Sequence, residues 1–91
     1  MAKEQRIIRF VGHVQGVGFR YNTRRLAAAF DVTGSVRNLP NGSVECIAEG
    51  DSSEIDAFLA AIDERLGYFI HERTEATAPY SGLFASFDVA F

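Results

Sequence analysis

Six consecutive residues, Gln15-Gly16-Val17-Gly18-Phe19-Arg20, are the part of this 91-residue chain best suited to hold an anion. Successive backbone amides in a tight loop that enters a helix form a concave, electropositive cradle. Glycine at 16 and 18 permits the dihedrals such a loop needs and lets an oxyanion approach the main chain closely. Arg20 adds a planar fork of donors matched to phosphate oxygens. A cation at a helix start meets the positive end of the dipole, at a cost of about 0.3–1 kcal/mol when exposed. A bound dianion reverses that cost. The same residues also fit a plain turn with Arg20 solvated, and taken alone they leave both readings open. The loop is no Walker A element, because no Gly-Lys-Ser/Thr follows. It is no dinucleotide fingerprint either, because Tyr21 stands where the third glycine would be.

The remaining polar residues carry less chemistry. His13 and His71 are isolated, without metal-ligand spacing, and no metal or other cofactor is expected. His13 reads as a strand or rim residue. Cys46 is the sole cysteine, so no disulfide forms within the chain, which suits a reducing compartment. It reads as a half-buried strand residue with no base beside it. Arg24 and Arg25 read as solvated helix positions that add to the local field.

Charge is divided unevenly. Residues 1–40 hold seven basic residues against two acids, residues 41–91 two against ten, for an overall charge of −3. An acidic chain is a poor general binder of nucleic acid, while a basic half within it suits a small anion. The longest apolar runs, Leu26–Phe30 and Ala57–Ile62, are too short to span a bilayer. No basic-then-apolar leader opens the chain, so the expectation is a cytoplasmic protein free of membranes, and Asn41-Gly42-Ser43 is an unused glycosylation sequon.

Ninety-one residues that are 47% apolar and 23% charged make one domain over 1–91, with room for a single sheet under two helices. The pattern predicts a strand over Arg6–Val14, with Ile8, Phe10, Gly12 and Val14 on its more apolar face. A helix follows over Arg20–Asp31. Thr33–Leu39 and Ser43–Glu49 form a hairpin about Pro40-Asn41-Gly42. Asp51–Leu66 is the clearest helix, striped by Ile55, Phe58, Leu59, Ile62 and Leu66. Asp51 or Ser52 is set to cap it with Glu54 in a capping box, and Gly67 to end it. Phe69–Ala76 reads as a charged edge strand, Pro79–Gly82 as a loop, and Phe87, Val89 and Phe91 as a last short strand.

This order is an α+β, ferredoxin-like βαββαβ sandwich: an antiparallel-rich sheet of four to five strands with both helices on one face. Its third strand lies between the first and second, and its fourth beside the first. The first two strands run parallel through a right-handed crossover. The glycine loop, Arg20 and the end of the second strand, with Asn38, therefore share one end of the sheet. Their backbones are about 10 Å apart, two strand spacings.

At this point the residues carry a resemblance. Gly12-His13-Val14-Gln15-Gly16-Val17-Gly18-Phe19-Arg20 resembles the first acylphosphatase signature. Gly34-Ser35-Val36-Arg37-Asn38, followed by Asn41-Gly42-Ser43-Val44-Glu45, resembles the second. Both fall where that family's fold would put them. The resemblance implies metal-independent hydrolysis of acyl phosphates to a carboxylate and inorganic phosphate. It implies that the amides of Gln15, Gly16, Val17, Gly18 and Phe19, with Arg20, bind the phosphate. It implies that Asn38 orients the attacking water. The partners would be a small acyl phosphate and inorganic phosphate, the latter as product and inhibitor, and the protein a monomer.

Such a site suits the chemistry. A carboxylate leaves readily, so a general acid is scarcely needed, and a loose phosphoryl-transfer transition state asks mainly for positioning and charge stabilisation. Two departures from the family pattern, Ser35 for an aromatic residue and Asn41 for aspartate, touch no expected catalytic group. Ser35 falls on the face of its strand opposite Val36 and Asn38. The rival reading is a non-catalytic phosphate- or carbamoyl-phosphate-binding module. An RNA-binding sheet is disfavoured, because Ser43–Glu49 carries two acids and no aromatic residue.

Overall fold

The computed structural model describes residues 2–91. Strand β1 (Lys3–Gly12) leads through a loop to helix α1 (Phe19–Ala27). Strands β2 (Thr33–Asn38) and β3 (Val44–Asp51) form the hairpin, and helix α2 (Ser52–Leu66) follows. A 3-10 turn over Gly67–Phe69 leads into β4 (Ile70–Pro79), and β5 (Phe87–Val89) comes last. The five strands make one sheet in the order β4-β1-β3-β2-β5. The first four strands pair antiparallel, and β5 joins the free edge of β2 in parallel. This is the expected βαββαβ sandwich, with β3 between β1 and β2.

One face of the sheet carries the core. Ile8, Phe10, Val36, Val44, Cys46 and Ala48 are fully buried, and the α2 stripe Ile55, Phe58, Leu59, Ile62 and Leu66 packs on them. Each such large apolar side chain contributes about 1.5–3 kcal/mol through burial. Phe87 of β5 completes the core, its ring edge-on to Phe58 at 5.3 Å. The edge strand β4 is exposed over most of its length, as its charges predict.

The opposite face holds one buried carboxylate. Glu49 is 1% exposed and accepts from Gln5 Nε2, from the N–H and hydroxyl of Ser81, and from the N–H of Gly82. It fastens the β4–β5 loop under the sheet. Burial pushes its carboxyl upward, but the bonds from Ser81, Gln5 and Gly82 outweigh that and hold it below the usual glutamate range.

Several local expectations are corrected. β1 stops at Gly12, and its register with β4 shifts between Val11 and Gly12. Gly12 has φ 142°, and a Cβ there would lie 2.4 Å from the Phe69 carbonyl oxygen. Val14 therefore leaves the strand and sinks into the core at 1% exposure. α1 ends at Ala27, not Asp31. From Ala28 the amides bond three residues back, to Arg25, Leu26 and Ala27, which tightens the chain and sets Phe30 beside Phe58.

The caps of α2 also differ. Asp51 occupies the N-cap without a side-chain cap bond, and Glu54 accepts from the Asp31 N–H instead. The capping box gives way to a tie across the α1–β2 connection. Gly67 does end α2, as expected, but in a right-handed conformation at φ −56°, so a 3-10 turn that includes Phe69 follows. β4 runs on to Pro79, held there by Glu4 of β1, and Phe91 lies beyond β5.

Candidate active site

The loop between β1 and α1 is built from two anchors and two hinges. Val14 and Phe19 are both 1% exposed, and the Phe19 ring packs on Phe10 at 5.2 Å. Between them, Gly16 and Gly18 both adopt φ 78°, in the left-handed region that glycine reaches without a Cβ clash. Gly18 is the N-cap of α1 and brings no side chain to the helix start. The first turn holds no acid. The early amides of α1 thus lack both a capping side chain and a neutralising carboxylate, and that leaves a positive pole. A Cβ built on Gly16 would meet nothing within 4 Å, so the loop is open on that side.

Arg20 stands in this pole half-buried. Its guanidinium lies 5.0 Å from the Phe91 ring centroid and 5.9 Å from that of Tyr21. Both rings lie within cation–π reach, and among the described residues no hydrogen bond takes up the Arg20 donors. Among the described residues Arg20 enters no ion pair. Arg6 is bonded to Glu4 and Asp56, Arg37 to Glu45, and Arg73 to Asp63. A cation without a carboxylate, at the positive end of a helix, is poised for an external anion.

Asn38 is the last residue of β2 and is exposed. It pairs across β3 with Val44, which in turn faces Phe10 of β1, so one row crosses the three strands just below the loop. Gln15 closes the gap. Its Nε2 donates to the carbonyls of Leu39 and Ser43, both at 2.9 Å, and so straps the loop to the turn that follows Asn38. The turn is itself tied by Leu39 N–H to the Ser43 carbonyl and by Asn41 Oδ1, which accepts from Ser43.

All seven residues expected at the site, Gln15 through Arg20 and Asn38, lie at one end of the sheet. The side-chain role of Gln15 and the ring of Phe91 against Arg20 were not anticipated. Gln15 pairs with residues 24 and 28 positions away, so no local pattern signals it. His13 is exposed, and its main chain donates to the Phe69 carbonyl. Cys46 is fully buried, deeper than its strand pattern suggests. Burial, and to a lesser degree Glu45, push its thiol far up, so it is no nucleophile. Among the described residues no three His, Cys, Asp or Glu side chains gather to hold a metal ion, and no helix is long and apolar enough to cross a membrane. A cavity of about 580 Å³ lies between α1 and the β5 region, but neither Arg20 nor Asn38 lines it.

Comparison with known proteins places the chain in a family. A family model described as Acylphosphatase matches residues 6–89. The chain is 47% identical over 62 residues to an acylphosphatase of Listeria welshimeri, covering 68% of this chain and 67% of that protein. It is 41% identical over 81 residues to one of Syntrophus aciditrophicus, covering 88% and 84%. The crystal structure of acylphosphatase from Bacillus subtilis superposes with a TM-score of 0.84 at 28% identity, over 98% of this chain and 99% of that one.

Proposed function

The chain belongs to the acylphosphatase family and is a hydrolase of acyl phosphates, and from that premise we propose which groups carry the reaction. The backbone amides from Gln15 to Phe19 and the Arg20 guanidinium bind the phosphate. Asn38 orients the water that attacks phosphorus. The water oxygen bonds to phosphorus, one of its protons passes to a phosphoryl oxygen, the carboxylate leaves with the electron pair of the P–O bond, and dihydrogen phosphate remains in the cradle.

The observation that carries this assignment is the pairing of a left-handed glycine loop with an arginine that has no carboxylate. The transition state spreads negative charge over the equatorial oxygens, and the amides and guanidinium are fixed donors for it. Their positive charge serves the role a divalent cation plays elsewhere, so the reaction needs no metal. The Asn38 amide is neutral. Its oxygen accepts from water and sets the line of attack, but it takes no proton.

Inorganic phosphate matches the same donors and acts as a competitive inhibitor. The protein is read as a monomer with one domain over 1–91, and its described residues share a single core. The free, buried Cys46 suits the cytoplasm. Release of phosphate from acetyl phosphate or benzoyl phosphate, followed for the wild type and Arg20→Ala, tests the assignment. A protein that binds phosphate but releases none from either compound would be a binding module.

A further inference from the structure

A second concavity, about 360 Å³, opens between α1 and the end of α2, directly beside the loop. Val17 of the loop forms one wall, with Leu26, Leu66 and Phe69 as the apolar floor. Val17, Leu26 and Phe69 are packed against the core, so this floor is rigid. At the rim stand Arg25 of α1 and Arg65 of α2. Among the described residues neither enters an ion pair, and Asp63, two residues before Arg65, is taken by Arg73.

Asn22 links this groove to the phosphate cradle. It lines the groove, and its side-chain amide donates to the Gly18 carbonyl at 2.9 Å. Arg25 lies three residues further on, about 4.5 Å along the axis. Helical side chains lean toward the N-terminus, which carries the Arg25 fork back toward the loop. Arg25 is thus seven residues past Gly18, roughly 10 Å along the helix axis.

We propose that the acyl group of the substrate lies in this groove, and that Arg25 and Arg65 select acyl phosphates whose acyl group ends in a second anion. The apolar floor suits methylene groups, and two guanidinium forks suit a carboxylate or a phosphate. The inference rests on the hydrolase reading above and adds its substrate class. Both arginines are exposed, so their contribution is moderated by solvent.

The test compares acetyl phosphate, which has no second anion, with succinyl phosphate, which has one. Steady-state rates at fixed ionic strength are measured for the wild type and for Arg25→Gln combined with Arg65→Gln. Arg24→Gln serves as the control, since Arg24 points to Asp88 on the other flank of α1 and removes the same kind of charge. The double variant is expected to lose about fivefold or more in kcat/KM for succinyl phosphate relative to acetyl phosphate, mostly through KM. Arg24→Gln is expected to leave that ratio within about twofold. Thermal unfolding of each variant confirms the fold, and the single variants serve where the double one is unstable. Equal losses on both substrates, or the same shift in Arg24→Gln, would overturn the groove assignment while leaving the hydrolase reading intact. Phosphate release from neither substrate by the wild type would overturn both.

Discussion

One Nε2 atom of Gln15 donates to the carbonyl of Leu39 at 2.9 Å, joining the glycine loop to the residue that follows Asn38. Two elements that share no strand pairing are thereby held in one arrangement. The proposed phosphate cradle is on one side of this bond, and Asn38, proposed to orient water, is on the other. Misplacement of reacting groups by about 1 Å can cost on the order of 100-fold in rate. Gln15→Ala is therefore expected to lower kcat about 10- to 100-fold, with a stability loss of about 1–2 kcal/mol from the missing bonds. Turnover and a denaturant titration on the same preparation separate the two. A variant with unchanged turnover would show that the strap is irrelevant to catalysis.

Among the described residues Arg20 pairs with no carboxylate, and its ring contacts, Tyr21 and Phe91, are exposed, so its removal should be felt in chemistry more than in folding. Arg20→Ala is expected to reduce kcat/KM about 100- to 1,000-fold and to abolish inhibition by inorganic phosphate. Arg20→Lys should recover little, since an ammonium cannot reproduce the fork. Near-normal turnover in folded Arg20→Ala protein would remove Arg20 from the site.

Asn38 lies at an exposed strand end and carries none of the core. If it aims water and does not grip phosphate, Asn38→Ala lowers kcat about 100-fold while the inhibition constant for phosphate moves within about threefold. The unfolding midpoint should be unchanged. Equal losses in turnover and phosphate affinity would instead make Asn38 a binding residue.

Glu49, on the far face of the sheet, is expected to contribute to acid stability. Its carboxyl is depressed in the folded protein, so its contribution is complete above the ordinary glutamate value of about 4.3. The contribution declines as pH falls below that value and vanishes below Glu49's own folded value. Glu49→Gln is expected to cost about 1–3 kcal/mol at neutral pH and to flatten this part of the acid-unfolding curve. Chemical denaturation at pH 7 and at several points below 4.3 checks both effects. An unaltered pH dependence would mean that another carboxylate controls the acid limb.

If the loop amides and Arg20 meet the charge on the transferring phosphoryl group, exhaustive chelation should leave phosphate release unchanged. Activity that disappears with chelator and returns only with a divalent ion would contradict this division of labour.

What was legible in the sequence is local. Apolar spacing shows α2 and the faces of β1 and β2, because those periods follow from helix and strand geometry alone. Gly16, Gly18 and Asn41-Gly42 mark turns because few residues tolerate the dihedrals. Element order then placed Arg20 and Asn38 at one end of the sheet, since parallel strands joined by a right-handed crossover leave no other arrangement. What only the tertiary structure decided joins distant residues. Gln15 reaches Leu39, Glu49 holds Ser81, and Phe91 lies against Arg20. Local signals even misled where a distant partner competed: Glu54 left the α2 cap for the Asp31 amide, and Gly12 ended β1 against Phe69. A residue's nearest neighbours in sequence set its dihedrals, but the partner of a side-chain donor or acceptor depends on strand order, register and loop path. Those are settled only when the core closes.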